Sequence, residues 1–416
     1  MSSGQLKIAY LVSQYPATNH TFILREIVGL RVLGMHVEVV AIRADDRQLE
    51  QMTAVERVEH LGTRTVFPFG TRFASAHVGT LVRNPLGYAR GLRLALGLAS
   101  WNVRSAAAYV VYFCEAVVAG SYIKAAGIGH VHTHFSSTVT LLMAKVFGFS
   151  MSMTVHGPDE FSDVVGFHMR TKVAACRFVV AISDYARSQI MRACPPDLWD
   201  RIEVCRLGVD PGQFVPGTAR ENADPFRLIC VGRLAPVKAQ RVLIQAVARA
   251  IDSGLRVRLC VVGPGPDRQL LEALVGSLGL NGAVEFAGAK NQEELRFLYL
   301  ASDAFVLASF AEGVPVVLME AMAMEIPCIA TWVNGVPELI QHEVSGLLVA
   351  PAREADLAAA IVRLGRDAGL RRALGRAGRL RVEADYDLST NVALLRDVMA
   401  RHLAASAPAS GPVIAR

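Results

Sequence analysis

Short β-branched runs alternate with longer helical patterns along this chain, and the alternation begins again past its midpoint. In the first half, 6–12, 36–42, 128–133, 150–155 and 178–182 read as strands, with 26–33 as a helix after the first. In the second, 226–231, 256–262, 283–286, 304–307, 328–331 and 347–349 are strand-like, with helical patterns at 239–252, 267–278, 291–301 and 355–365. Strands joined by helical crossovers lie parallel with helices over both faces, because a tight turn cannot reach a parallel neighbour. The fold class is therefore α/β, and 416 residues suit two doubly wound domains. The junction is expected at 207–217, where Gly and Pro break the periodicity. We expect one domain over 1–212 and a second over 213–390. Residues 391–416 are expected as a C-terminal helix packing back on the first domain, then a frayed tail from Ala404. Ligands of open parallel sheets sit at the carboxyl ends of the strands, so two facing domains would enclose a cleft.

Apolar residues make up 52% of the chain and charged residues 19%, which is material for two cores and leaves little for disorder. The net charge of +6 is unevenly placed: residues 1–212 hold 21 basic and 16 acidic side chains, and residues 213–416 hold 22 and 21. Within 61–130, Arg64, Arg72, Arg83, Arg90, Arg93, Arg104 and Lys124 are met by one acid, Glu115. Phe67, Phe69, Phe73, Leu81, Leu86, Tyr88, Leu92 and Trp101 are interleaved with them. Such a mixture suits the anionic inner surface of a membrane, with a solvated helix pair as the plainer alternative. No nucleic-acid recognition motif accompanies the charge, so nucleic acid is not an expected partner. Seven scattered cysteines without a C-x-x-C pair suggest neither a disulfide framework nor a zinc site, and fit a reducing cytosol. The opening apolar run is too short for a signal-peptide core. A cytoplasmic protein, peripheral on the inner face of the cell membrane, is the expectation. The weakly charged stretch 105–122 reads as a buried or interfacial helix, not a span.

The densest chemical signal lies in 308–340. A strand ends at Leu307, a Gly-Pro loop follows, and a helix starts near Val316 to Leu318, which leaves free N–H groups and a positive dipole end at the expected cleft. Glu312 precedes the loop and Glu320 lies inside the helix, so a ligand crossing the helix start could meet a carboxylate at each end. Carboxylates accept two hydrogen bonds from a vicinal diol. Spacing alone favours the plainer reading, in which both glutamates are solvated or paired with arginines. Arg233 and Lys238 follow the first strand of the second domain and precede a helix, a placement that suits a diphosphate and the charge developing on a leaving phosphate. Alone they would be ordinary surface charges; two such elements at the mouth of one sheet argue for a site.

Gly232-Arg233-Leu234 with Lys238, Val262-Gly263-Pro264-Gly265-Pro266, Glu312-Gly313 with Pro315 and Glu320-Ala321-Met322-Ala323, and Gly335-Val336-Pro337-Glu338-Leu339 together resemble the retaining glycosyltransferases of family 4. That family has the GT-B fold, two Rossmann-like doubly wound domains facing across a cleft. Tyr15-Pro16, Thr21-Phe22-Ile23, Arg25-Glu26, and His130, His132 and His134-Phe135 resemble its exopolysaccharide and colanic-acid branch. The resemblance implies a hexosyltransferase that moves a sugar from a UDP- or GDP-sugar to a hydroxyl of a glycan or polyprenyl-diphosphate-linked acceptor in polysaccharide biosynthesis. The nucleotide sugar would be a co-substrate, with no cofactor and no metal. By resemblance, Arg233 and Lys238 hold the donor diphosphate, Glu320 takes the ribose hydroxyls and Glu312 meets the donor sugar. Gly313, Val314, Pro315 and Val316 line the sugar or phosphate, Gly263 joins the donor contacts, and His156 lies near the reacting carbon. Catalysis would fall to His156, Arg233, Lys238 and Glu312. Two departures stand out: the Gly-Gly loop common after the first strand is replaced by 14–20, and Glu325 stands where glycine is common.

Other elements weigh less. His130, His132 and His134 alternate on one strand face as metal-binding pairs do, but no carboxylate partner stands near them in sequence, and no metal site is expected. Asp385-Tyr386-Asp387 follows an Arg-rich helix and reads as solvated. A nucleotide-sugar 2-epimerase would share this architecture and donor site, a nicotinamide oxidoreductase would need a complete G-x-G-x-x-G after a first strand, and a non-catalytic two-domain sugar-binding protein would normally be exported.

Overall fold

The computed structural model describes residues 6–17, 20–70, 72–100, 102–218, 220–221 and 224–404. The tail expected to fray beyond Ala404 lies outside the described residues. Seven strands, β1 (Lys7–Tyr15), β2 (His36–Ala44), β3 (Arg64–Phe67), β4 (His130–His134), β5 (Ser150–Val155), β6 (Cys176–Ala181) and β7 (Ile202–Val204), form one sheet in the order β3-β2-β1-β4-β5-β6-β7. Six more, β8 (Phe226–Val231), β9 (Val257–Val262), β10 (Val284–Gly288), β11 (Ala304–Leu307), β12 (Cys328–Thr331) and β13 (Leu347–Val349), form a second in the order β10-β9-β8-β11-β12-β13. Pairing is parallel throughout both sheets. The winding direction reverses between β1 and β4 and again between β8 and β11, so each sheet opens a crevice at the carboxyl ends of those strands.

The central strands are buried on both faces, which is why they read as nearly unbroken apolar runs. β3 and β7 are the strands that the sequence pattern does not signal. They are short edge strands, and a single residue of each, Val66 and Ile202, is buried. Helix Ser137–Phe147 is buried nearly all round, so its sequence carries no amphipathic period to detect.

In the second domain, Phe226, Leu228, Leu243, Val247, Leu259 and Ile361 pack on one face of the sheet, while Phe305, Leu318, Met319, Met322 and Ile340 pack on the other. The first core draws on the chain's last helix, Leu388–Ala404, whose Val392, Leu395, Val398 and Met399 pack beside Ile8, Tyr10, Ile23, Ile27 and Leu30. The chain therefore crosses between domains twice, and the crossings touch: Val209 N–H donates to Tyr386 O at 3.0 Å and Leu388 N–H to Val209 O at 2.9 Å. Helix Val103–Ala125, with 23 residues, is the one helix among those described that is long and apolar enough to cross a membrane. Its Phe113, Ala116, Val117, Ala119 and Ile123 pack into the first domain's core, as the expected buried helix would.

Candidate active site

The crevice of the second sheet gathers the charged residues that the sequence singles out. β8 ends at Val231, and Gly232 to Lys238 lead into the helix Gln240–Asp252. Arg233 is exposed at the mouth, while its carbonyl is held by Gln240 Nε2 at 2.9 Å. Lys238 Nζ reaches across to Glu312 Oε1 at 2.6 Å, and Ser309 Oγ donates to the same oxygen at 2.6 Å. Glu312 is thus a buried carboxylate held by a cation and a hydroxyl. The helix Val316–Ala323 begins directly beyond, with Pro315 at its N-cap. Leu318 is its first residue whose N–H finds a carbonyl, Pro315 O at 3.1 Å, so the N–H groups of Val316 and Val317 stand unpaired at the helix start.

Glu320 follows the arginine-paired reading, with an arginine from the other domain. Arg25 NH2 donates to Glu320 Oε1 at 2.7 Å and Tyr299 OH to Oε2 at 3.3 Å, both within a nearly dry pocket. Arg25 also lies over the Phe214 ring, and its NH1 has no hydrogen-bond partner. Sequence reasoning placed Arg25 in a motif without giving it a contact, because its partner lies 295 positions away.

Glycines set how closely the pieces approach. A Cβ on Gly313 would stand 2.1 Å from His156 O, one on Gly335 2.5 Å from Gly313 O, and one on Gly157 2.9 Å from Gly313 Cα. Backbone of the first domain therefore rests on backbone of the second at the mouth of the cleft. Gly263 has φ of 135° and lies against Gly232 O, so packing between the loops after β8 and β9 already requires a glycine there. Glu325 occupies a left-handed backbone, φ 57°, which explains why glycine suits that position; its carbonyl fills the space where Gly375 lacks a side chain. Glu338 ties the domains again, accepting from the N–H groups of Asp184 at 2.9 Å and Tyr185 at 2.6 Å, at the start of the helix Asp184–Ala193. Asn334 Nδ2 adds a bond to Tyr185 OH at 2.7 Å.

Across the cleft the first sheet offers imidazoles. His156 follows β5 and its Nε2 lies 2.8 Å from His134 Nδ1; His134 Nε2 lies 3.1 Å from Glu26 Oε1, which also accepts from Tyr10 OH at 2.6 Å. Burial, reinforced by His134 and His20, holds His156 well below the usual imidazole pKa, so the ring is neutral. Burial likewise pushes His130 down to about 3 and His20 to about 4. Burial pushes the Glu160 carboxyl up to about 7 against its bonds from the His156 and Gly157 N–H groups. Sequence reasoning found no carboxylate for the alternating histidines; the first helix, Thr21–Val32, supplies Glu26. Ligand atoms of Glu26, His132 and His134 all lie within 4.8 Å of one another. Each of those ring nitrogens already has a partner: Ser152 and Thr154 hydroxyls for His132, His156 and Glu26 for His134. The donor set is complete as a hydrogen-bond network. Asp385 and Asp387 stand apart from the cleft, one paired with Arg381 and the other capping the last helix.

Two doubly wound parallel sheets in contact across a cleft form the GT-B architecture. The fold match is direct: an Anabaena protein, Alr3699/HepE, solved in complex with UDP and glucose, superimposes with a TM-score of 0.70 at 18% identity, covering 95% of this chain and 100% of that one. Residues 216–381 match the family model described as "Glycosyl transferases group 1". WcaL of Escherichia coli (strain K12), named as a colanic acid biosynthesis glycosyltransferase, is 28% identical over 359 residues, covering 83% of this chain and 87% of its own length. The amylovoran biosynthesis glycosyltransferase AmsK of Erwinia amylovora is 25% identical over 411 residues, 95% of this chain and all of its own length. Residues 216–381 are a group 1 glycosyl transferase domain, and over most of its length the chain is similar to glycosyltransferases of colanic acid and amylovoran biosynthesis.

Proposed function

We propose that this protein transfers a hexose, with retention, from a UDP- or GDP-sugar to a hydroxyl of a glycan carried on a polyprenyl diphosphate, during exopolysaccharide assembly. One observation supports the reading: Lys238 pairs with Glu312 beside the unpaired N–H groups of Val316 and Val317, on the crevice where Arg233 lies in the loop after β8 and Gly313 packs on the backbone of His156. A diphosphate leaving group needs that cationic surround, since charge develops on its oxygen as the glycosidic bond breaks. The acceptor hydroxyl attacks the anomeric carbon on the face the diphosphate leaves, its proton passing to the departing phosphate oxygen, and Arg233 and Lys238 stabilise the nucleotide diphosphate formed. No carboxylate nucleophile is assigned; Glu312 is held by Lys238 and Ser309 and meets sugar hydroxyls. The names of WcaL and AmsK support an exopolysaccharide product, and the UDP and glucose of the HepE complex support a nucleotide-sugar donor.

The basic stretch gives the acceptor a place to arrive. Helices Arg72–Arg83, Pro85–Leu98 and Val103–Ala125 expose Arg83, Arg90, Arg93 and Arg104 beside Val78, Leu81, Val82, Leu86 and Val103, whereas Glu115, the one acid, is buried. Each such cation contributes about 1 kcal/mol at an anionic bilayer. The protein should sediment with phosphatidylglycerol vesicles and be released by salt, and should ignore phosphatidylcholine vesicles; equal behaviour on both removes the membrane from the reading. For the donor, thermal shift with UDP-glucose, UDP-galactose and GDP-mannose should single out one nucleotide, with about 2.7 kcal/mol of stabilisation at 100 times its Kd. A protein that none of them stabilises, and that hydrolyses none, would not be this enzyme.

A further inference from the structure

Resting on the reading that His156 faces the donor, we infer that Glu26 and His134 are positioning residues that fix the protonation pattern of His156, leaving its Nδ1 as a hydrogen-bond acceptor in the cleft. The argument runs from the buried end outward. Tyr10 OH donates to Glu26 Oε1 at 2.6 Å, and burial beside that glutamate keeps the phenol protonated. A carboxylate only accepts, so the His134 nitrogen 3.1 Å from the same oxygen, Nε2, carries that ring's proton. With that proton on Nε2, His134 Nδ1 accepts, and its neighbour at 2.8 Å, His156 Nε2, is the donor. One proton remains for the neutral His156 ring and it is spent on that bond, so Nδ1 keeps its lone pair. Nδ1 makes no hydrogen bond among the described residues, and it is not among the fully buried orphan atoms.

The ring is fixed in orientation as well as in tautomer. Phe135 stacks on it with ring centroids 4.5 Å apart, from a left-handed backbone with φ of 62°. Phe22 closes a tilted contact at 4.9 Å, and Glu160 holds the His156 and Gly157 N–H groups from below. An acceptor nitrogen so held can receive a hydroxyl of the donor sugar but cannot donate to a phosphate. The chain of control, Glu26 to His134 to His156, spans three elements far apart in sequence: the first helix, β4 and the loop after β5.

Selective 15N-histidine labelling and long-range 1H–15N correlation test the tautomers directly in the whole protein, with no substrate needed. The expected spectrum has His134 and His156 both protonated at Nε2 and bare at Nδ1. A His156 ring protonated at Nδ1 overturns the inference. Glu26→Leu removes the acceptor and should scramble both tautomers. With the nucleotide sugar selected by thermal shift, kcat should fall by about tenfold to 100-fold while donor KM stays within about twofold, the signature of lost orientation. Glu26→Gln keeps an acceptor oxygen and should restore the tautomers and most of kcat. If Glu26→Leu folds and turns over as wild type does, Glu26 positions nothing. If the wild type shows the expected tautomers yet turns over no donor, the transferase reading fails and the geometry of the relay stands.

Discussion

The two sheets are wound in the same order, yet their crevices are built by opposite means. The second gathers Lys238, Glu312 and the start of the helix Val316–Ala323 from two short loops, each at a strand end before a helix, and uses charge and bare backbone N–H groups. The first gathers Tyr10, Glu26, His134 and His156 from four elements and uses mutually hydrogen-bonded side chains. Nine of the eleven histidines lie in residues 1–212. The difference teaches that placed charge can come from short local motifs, whereas a ring held by successive hydrogen bonds comes only from tertiary packing; on the proposed function the first serves the leaving group and the second the sugar.

The comparison breaks most sharply at Lys238. Lys238→Ala should cost about 100-fold to 1,000-fold in kcat, because a charge at the leaving group is felt in the transition state, and it also strands buried Glu312. Steady-state kinetics with the selected donor read this, and near-normal turnover would place the leaving-group site elsewhere. Gly313→Ala comes next. Its methyl would sit 2.1 Å from His156 O, so the two crevices must separate, and kcat should fall by about 100-fold with the fold retained by circular dichroism. The smallest effect is in pH. His130 and His20, at about 3 and 4, and His156, also depressed, are neutral when folded and charged when unfolded below pH 6.5, so each contributes stability that is present above 6.5 and lost as pH falls. The loss is about 1 kcal/mol per pH unit for each fully buried ring. Glu160, raised to about 7, works the other way, since its contribution is present at low pH and lost as pH rises toward 7. Several rings outweigh one carboxyl, so urea unfolding should show stability falling from pH 6.5 to 5. The loss should diminish in His130→Gln; a flat profile would contradict the neutral histidine network.

What could be read in the sequence follows the same division. The strands of the second sheet, 226–231, 304–307, 328–331 and 347–349, were legible to the residue, because buried parallel strands are continuous apolar runs bounded by Gly and Pro. Lys238 and Glu312 could be singled out because Gly-Pro loops and helix starts are local signals. Arg25 meeting Glu320, and Glu26 meeting His134, could not, because each contact depends on how a helix of the first domain lies across its sheet and against its neighbour. The alternating histidines were visible on β4, but their carboxylate was not, and without it their spacing suggested either metal or nothing. Helices Arg72–Arg83 and Pro85–Leu98 were read only as a basic, aromatic-rich stretch with a solvated helix pair as the alternative, and the structure shows both helices with several apolar side chains exposed.

The central claim is that the second crevice alone grips the nucleotide diphosphate while the first orients the sugar. Isothermal titration of UDP and GDP into wild type, Lys238→Ala and His156→Ala tests it most directly. One of the two nucleotides should bind wild type, bind His156→Ala within about twofold, and lose at least about tenfold in affinity against Lys238→Ala. Equal loss in both variants, or none in Lys238→Ala, would contradict the division.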